Sequence, residues 1–161
     1  MDRRQPVSTA AMFLALALSP IFPASLSAQE SGHHPNHAGL FLGVTRAEGH
    51  SSFTIGADYE RTLPVAHQRL AIGGLIDAAT GREPKHVIVA GTLSFRPVES
   101  LKLLVGPGVQ FSHGKSEALF RAGAAVDLPK AGAFTISPGV YFDFVGGHTA
   151  IVFGATVGKG F

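Results

Sequence analysis

The chain has 161 residues and no cysteine, which excludes a disulfide framework and a lipid-modified N-terminal cysteine. Lysine and arginine total 13 against 11 acidic residues, a formal net charge of +2 that is too near balance for a nucleic-acid-binding face. Charged residues make up 15% and hydrophobic residues 45%, an odd mixture for a soluble exported domain. After the N-terminal segment, no stretch approaches the ~18 consecutive apolar residues that mark a transmembrane helix.

Residues 1–28 read as a cleaved secretory signal peptide. Asp2-Arg3-Arg4 supplies the charged start, and Ala10 to Leu18 (AAMFLALAL) is an apolar run too short to span a bilayer. Small residues and prolines then lead to Ser27-Ala28. Asp2, Arg3 and Arg4 carry a net +1, so their removal lowers the total of +2 to +1. Residues 29–37 (QESGHHPNH) form a polar tail. In it His33, His34 and His37 could bind divalent metal weakly; the plainer reading is a solvated leader.

From residue 38 onward the hydropathy repeats every second position, in eight runs of about ten residues. They cover 38–45, 53–61, 69–77, 86–95, 101–112, 118–127, 134–144 and 149–161, parted by short Gly-, Pro- and polar-rich segments. One face of each run is dominated by large apolar residues, such as Leu40, Ile55, Ile76, Leu103, Phe142 and Phe153, and carries no charge. The opposite face is mostly Gly, Ala, Thr and Ser. It carries Asp58, Glu60, Asp77, Lys102, Arg121, Asp127 and Asp143.

Two architectures could use such faces. A soluble β-sandwich or barrel binding a hydrophobic ligand would bury the large apolar set and show the other face to water. That face has far fewer charges than the ~25–35% of a soluble surface. A membrane barrel instead turns the apolar set toward lipid and fills a narrow lumen with small and polar residues. Closure pairs every backbone group, as lipid requires. The fold expected over 38–161 is therefore all-β, an eight-stranded antiparallel up-and-down transmembrane β-barrel. Pro107 (GPG) and Pro138 (SPG) fall mid-strand and are expected to mark bulges that bend the wall.

The last run, AIVFGATVGKGF, ends on Phe161 and alternates apolar residues back from it through Val157, Ala155, Phe153 and Ile151. It resembles the terminal strand of bacterial outer-membrane barrels, although Lys159 stands where that family usually has an apolar residue. The whole region from 38 to 161 is similar to the small eight-stranded barrels of the outer membrane protein A and X kind. The resemblance implies a Gram-negative outer membrane, periplasmic termini and outer-membrane lipid as surroundings. It also implies insertion by the barrel-assembly machinery, with Phe161 as the assembly signal. A monomer without a cofactor or nucleic-acid partner is expected.

Candidate chemistry is sparse. Asp58, Glu60, Lys102, Arg121 and Asp143 would all point into the lumen, where unpaired ions are expensive, so a structural network of ion pairs is expected. A gated path for protons or small ions is the functional alternative. His50, His86, His113 and His148 fall in or beside the four presumed outer loops, and a ring of imidazoles could hold Zn²⁺ or Cu²⁺. Ordinary loop histidines are the bland reading. A lipid-modifying enzyme would need a nucleophile, base and acid; FSHGKSE offers Ser112, His113, Ser116 and Glu117, but within a single loop. The expected role is non-enzymatic: envelope structure, interaction or restricted passage of small solutes.

Overall fold

A computed structural model describes residues 34–80, 85–129 and 132–161. The expected signal peptide, residues 1–28, and residues 29–33 of the expected tail lie outside the described residues. Eight strands follow in chain order: β1 (Asn36–Ala47), β2 (His50–Thr62), β3 (Leu70–Thr80), β4 (His86–Val98), β5 (Leu101–Ser112), β6 (Lys115–Val126), β7 (Thr135–Val145) and β8 (His148–Gly160). Each is antiparallel to its neighbours, and β1 pairs with β8, so the sheet closes into a barrel in the order β1 to β8. The eight expected runs are these eight strands. β1 begins at Asn36 rather than 38, so His37 belongs to the wall and not to the tail.

Turn chemistry explains one end of the barrel. Glu48-Gly49, His113-Gly114 and Gly146-Gly147 each place two consecutive residues at positive φ. That is the two-residue hairpin turn whose twist matches the strands it joins. The end bearing the termini has two longer connections, residues 63–69 with a single 3-10 turn (Ala66–Gln68) and residues 127–134, and one two-residue connection, Glu99-Ser100.

Exposure decides which face is which. Leu40 is 64% exposed and Phe53 52%, whereas Arg121 is 2% and Asp143 1%. The large apolar set covers the outer wall and the charges lie inside, which is the membrane arrangement and the inverse of a soluble sandwich. The interior is also less uniformly small than expected: Phe41, Ile88, Leu104, Leu119, Tyr141 and Val152 are buried there. Phe41 meets Tyr141 edge to face at 6.0 Å and 79°. Their bulk needs space elsewhere, and Gly43 and Gly154 provide it: a Cβ on Gly154 would stand 2.3 Å from the Leu42 carbonyl oxygen and 2.7 Å from the Phe41 ring.

Pro107 and Pro138 sit within continuous strands β5 and β7 and point outward, so no extra turn raises the strand number. The ladder lapses beside each of them, between Ala90↔Gly108 and Leu93↔Val105 and beyond Ala125↔Gly139, but the register does not shift at either, so neither marks the expected bulge; the β4–β5 register shift lies between Phe95 and Val98.

Candidate functional site: the charged lumen

Alternation along each strand sends every second side chain inward. Asp58 and Glu60 on β2, Asp77 on β3, Lys102 on β5, Arg121 on β6 and Asp143 on β7 all obey it, as the two-residue repeat expects. The structure sorts them into two groups.

The first is built on Arg121. Asp143 lies directly opposite it in the β6–β7 register. Arg121 Nε donates to Asp143 Oδ1 at 2.6 Å and Nη2 donates to Oδ2 at 2.8 Å, the two-pronged geometry that a planar guanidinium suits. Nη1 also donates to Asp77 Oδ2 from β3. The guanidinium carbon stands 5.7 Å from the centre of the Tyr141 ring, a buried cation–π contact. All three charged partners are buried.

The second group lies toward the termini and centres on Glu60. Its Oε1 accepts from Arg96 Nη2, and its Oε2 accepts from Ser94 Oγ at 3.1 Å. Lys102 Nζ is 3.7 Å from the same Oε2. Arg96 Nε reaches Asp127 Oδ2 at 3.8 Å, and Ser137 donates to Asp127 Oδ1 at 2.6 Å. Beside them His37 Nδ1 approaches Asp58 Oδ2 at 3.9 Å, beyond hydrogen-bonding distance, and has no hydrogen-bond partner.

Between these groups the lumen keeps a small cavity bordered by Phe41, Asp58, Glu60, Lys102, Arg121 and Tyr141 among others, with a volume of about 30 Å³ open to water. That is space for about two waters. Three inward cations (Arg96, Lys102, Arg121) face five inward carboxylates (Asp58, Glu60, Asp77, Asp127, Asp143), so an ion entering this space would be a cation.

Sequence reasoning had not assigned Asp77, Arg96, Asp127, Ser94, Ser137 and Tyr141 to the network. Asp77 and Asp127 were visible as inward charges without partners. Arg96 follows the inward positions His86, Ile88, Ala90, Thr92 and Ser94, but the Pro97 beside it made the run seem to end. Arg96 is inward by the same alternation, and the β4–β5 register shifts beside it, between Phe95 and Val98.

The four histidines are not gathered as a ring. His86 is buried at the start of β4, pointing inward, while His50, His113 and His148 are exposed. His148 Nδ1 meets Glu48 Oε1 at 2.8 Å across the rim. Among the described residues no group of three or more His, Cys, Asp or Glu is arranged to hold a metal ion. Ser112 Oγ lies 3.0 Å from His113 Nδ1, an exposed contact between sequence neighbours, and neither residue borders the lumen cavity.

At the other end of the chain, Phe161 closes the barrel. Its N–H donates to Asn36 O at 3.0 Å and its carbonyl accepts from Asn36 N–H at 3.3 Å. Its ring lies 6.5 Å from that of Tyr59, which in turn donates to Asn36 Oδ1 at 2.9 Å.

A closed single-sheet barrel of eight tilted strands, apolar outside and ion-paired within, is a small transmembrane β-barrel. Solved structures of that class are similar to it. A de novo designed transmembrane β-barrel matches with a TM-score of 0.54 and 9% identity, over 78% of this chain and 97% of that one. Neisserial surface protein A matches at 0.54 and 10%, over 78% and 96%. Ail, the attachment invasion locus protein of Yersinia pestis, in complex with the heparin analogue sucrose octasulfate, matches at 0.51 and 16%, over 78% and 96%. At these identities the likeness is one of fold. No family model and no curated protein matches the chain.

Proposed function

We propose that the protein is a monomeric outer-membrane barrel with an axially closed lumen, serving a non-enzymatic role in envelope structure or interaction. The observation that carries this reading is the ion-paired interior: Arg121 with Asp143 and Asp77, and Glu60 with Arg96 and Lys102, meet across the space within the wall, with the Phe41 and Tyr141 rings beside them. Eight strands enclose a lumen about wide enough for side chains alone, so a plug of ion pairs suffices to block it. The apolar outer wall supports lipid as its surroundings, and the resemblance of the last strand supports insertion by the barrel-assembly machinery with Phe161 as its signal.

Three of the connections at the end opposite the termini are two-residue turns, at 48–49, 113–114 and 146–147, and these offer little surface for a large partner. Interaction, if it is the role, therefore falls to the rim and the wall. An enzymatic reading has no comparable support, because the Ser112–His113 contact lies apart from the cavity.

Planar-bilayer recording tests the closed lumen. The wild-type protein should give no steady ohmic channel. A reproducible conductance in its absence of denaturant would replace the structural reading with a solute path, and cation preference would be its expected signature.

A further inference from the structure

Six of the eight seams between neighbouring strands pair without a break among the described residues. The interrupted ones are β4–β5 and β6–β7. In the first, Gly91 and Thr92 face Gly106 and Pro107 without pairing. In the second, pairing stops at Ala125↔Gly139, and the Leu128 N–H bond to Ile136 O at 2.9 Å marks its resumption beyond Pro138.

Each proline has an intact ladder on its other side: Pro107 with Phe120 of β6, and Pro138 with Ala155 of β8. A strand residue directs its N–H toward one neighbour only. The missing donor therefore faces β4 at Pro107 and β6 at Pro138. Both losses fall on the two edges of one element, the β5–β6 hairpin.

That hairpin is tied to the rest of the barrel from inside. Arg121 binds Asp143 across the β6–β7 edge and Asp77 on β3, and Lys102 lies 3.7 Å from Glu60 on β2. Outside, the same β6–β7 edge borders an apolar depression in the lipid-facing wall, where Ala124 and Gly139 leave room between Val126, Val140 and Phe153.

We propose that the β5–β6 hairpin is a hinged panel of the wall, latched from within by Arg121 and Lys102, whose β6–β7 edge opens sideways between lumen and lipid. The axial path stays plugged while the wall moves. What reaches the lumen by this route comes from the bilayer; the apolar depression suits an acyl chain and the charged lumen a polar head, so the fitting solute is amphipathic.

The chain has no native cysteine, so a single Thr156→Cys, buried beside the lumen cavity, reports access in phospholipid nanodiscs. Adding Arg121→Gln should speed its reaction with a lipid-soluble maleimide about tenfold or more, as expected when charge-assisted bonds are lost. A charged, membrane-impermeant thiosulfonate should gain nothing. Pro138→Thr restores the missing donor and should slow the maleimide reaction. Should Arg121→Gln fail to fold, Lys102→Met releases the second latch and reads the same route. Equal gains for both reagents would mean axial opening, and no gain for either would mean a rigid wall; each result overturns the panel. Amide hydrogen exchange gives an independent check: β5 and β6 should exchange faster in Arg121→Gln than the other strands, and equal acceleration of all eight would also overturn it.

Discussion

Arg121 shows how one residue sets the character of the interior. Taking a guanidinium and two carboxylates out of water is costly, and the cost is offset because Arg121 donates to both oxygens of Asp143 and to Asp77 Oδ2. Reversing it by Arg121→Glu leaves Asp77 and Asp143 buried beside a third carboxylate. A loss of about 3–5 kcal/mol is expected, as for breaking a buried pair. Urea unfolding in lipid vesicles measures it, and an unchanged midpoint would show that these charges do not hold the barrel together. Gly154 makes a steric argument of the same kind. Its missing Cβ lets β8 lie against Leu42 and the Phe41 ring, so Gly154→Ala should cost about 1–3 kcal/mol in the same assay.

At the scale of the strand, the two-residue period carried most of the information. Because side chains alternate strictly, the phase of each run was enough to separate lipid-facing from lumen-facing positions. The partners were less legible. Arg121 and Asp77 are 44 residues apart and meet only because the sheet closes. Phe41 and Tyr141 are large residues on a face read as small and polar, and their place became clear only once glycines on neighbouring strands were seen to make room for them. His37 read as tail because it ends a polar, His-rich stretch, yet pairing with Gly160 and Glu60 makes it wall. The terminal strand raises a separate question of assembly. Phe161→Ala keeps both backbone bonds to Asn36 and removes only the ring. Refolding into vesicles should then persist, while the amount reaching the outer membrane in cells falls. Normal accumulation in cells would deny Phe161 its role as a signal.

For the molecule as a whole, closure and burial act together. The ring of paired strands removes every sheet edge, the apolar wall suits hydrocarbon, and the ion pairs fill what would otherwise be a pore. The ladder lapses at the two edges of β5–β6, and Arg121 with Asp143 ties one of them, β6–β7, from inside.

The central claim is that this chain folds as a compact membrane barrel. Electrophoresis of the outer-membrane fraction, unboiled against boiled, tests it most directly. The account predicts that the protein stays with the membrane and migrates differently before heating, as a folded barrel that resists detergent until it is boiled. Release as soluble periplasmic protein, with the same mobility before and after boiling, would contradict it.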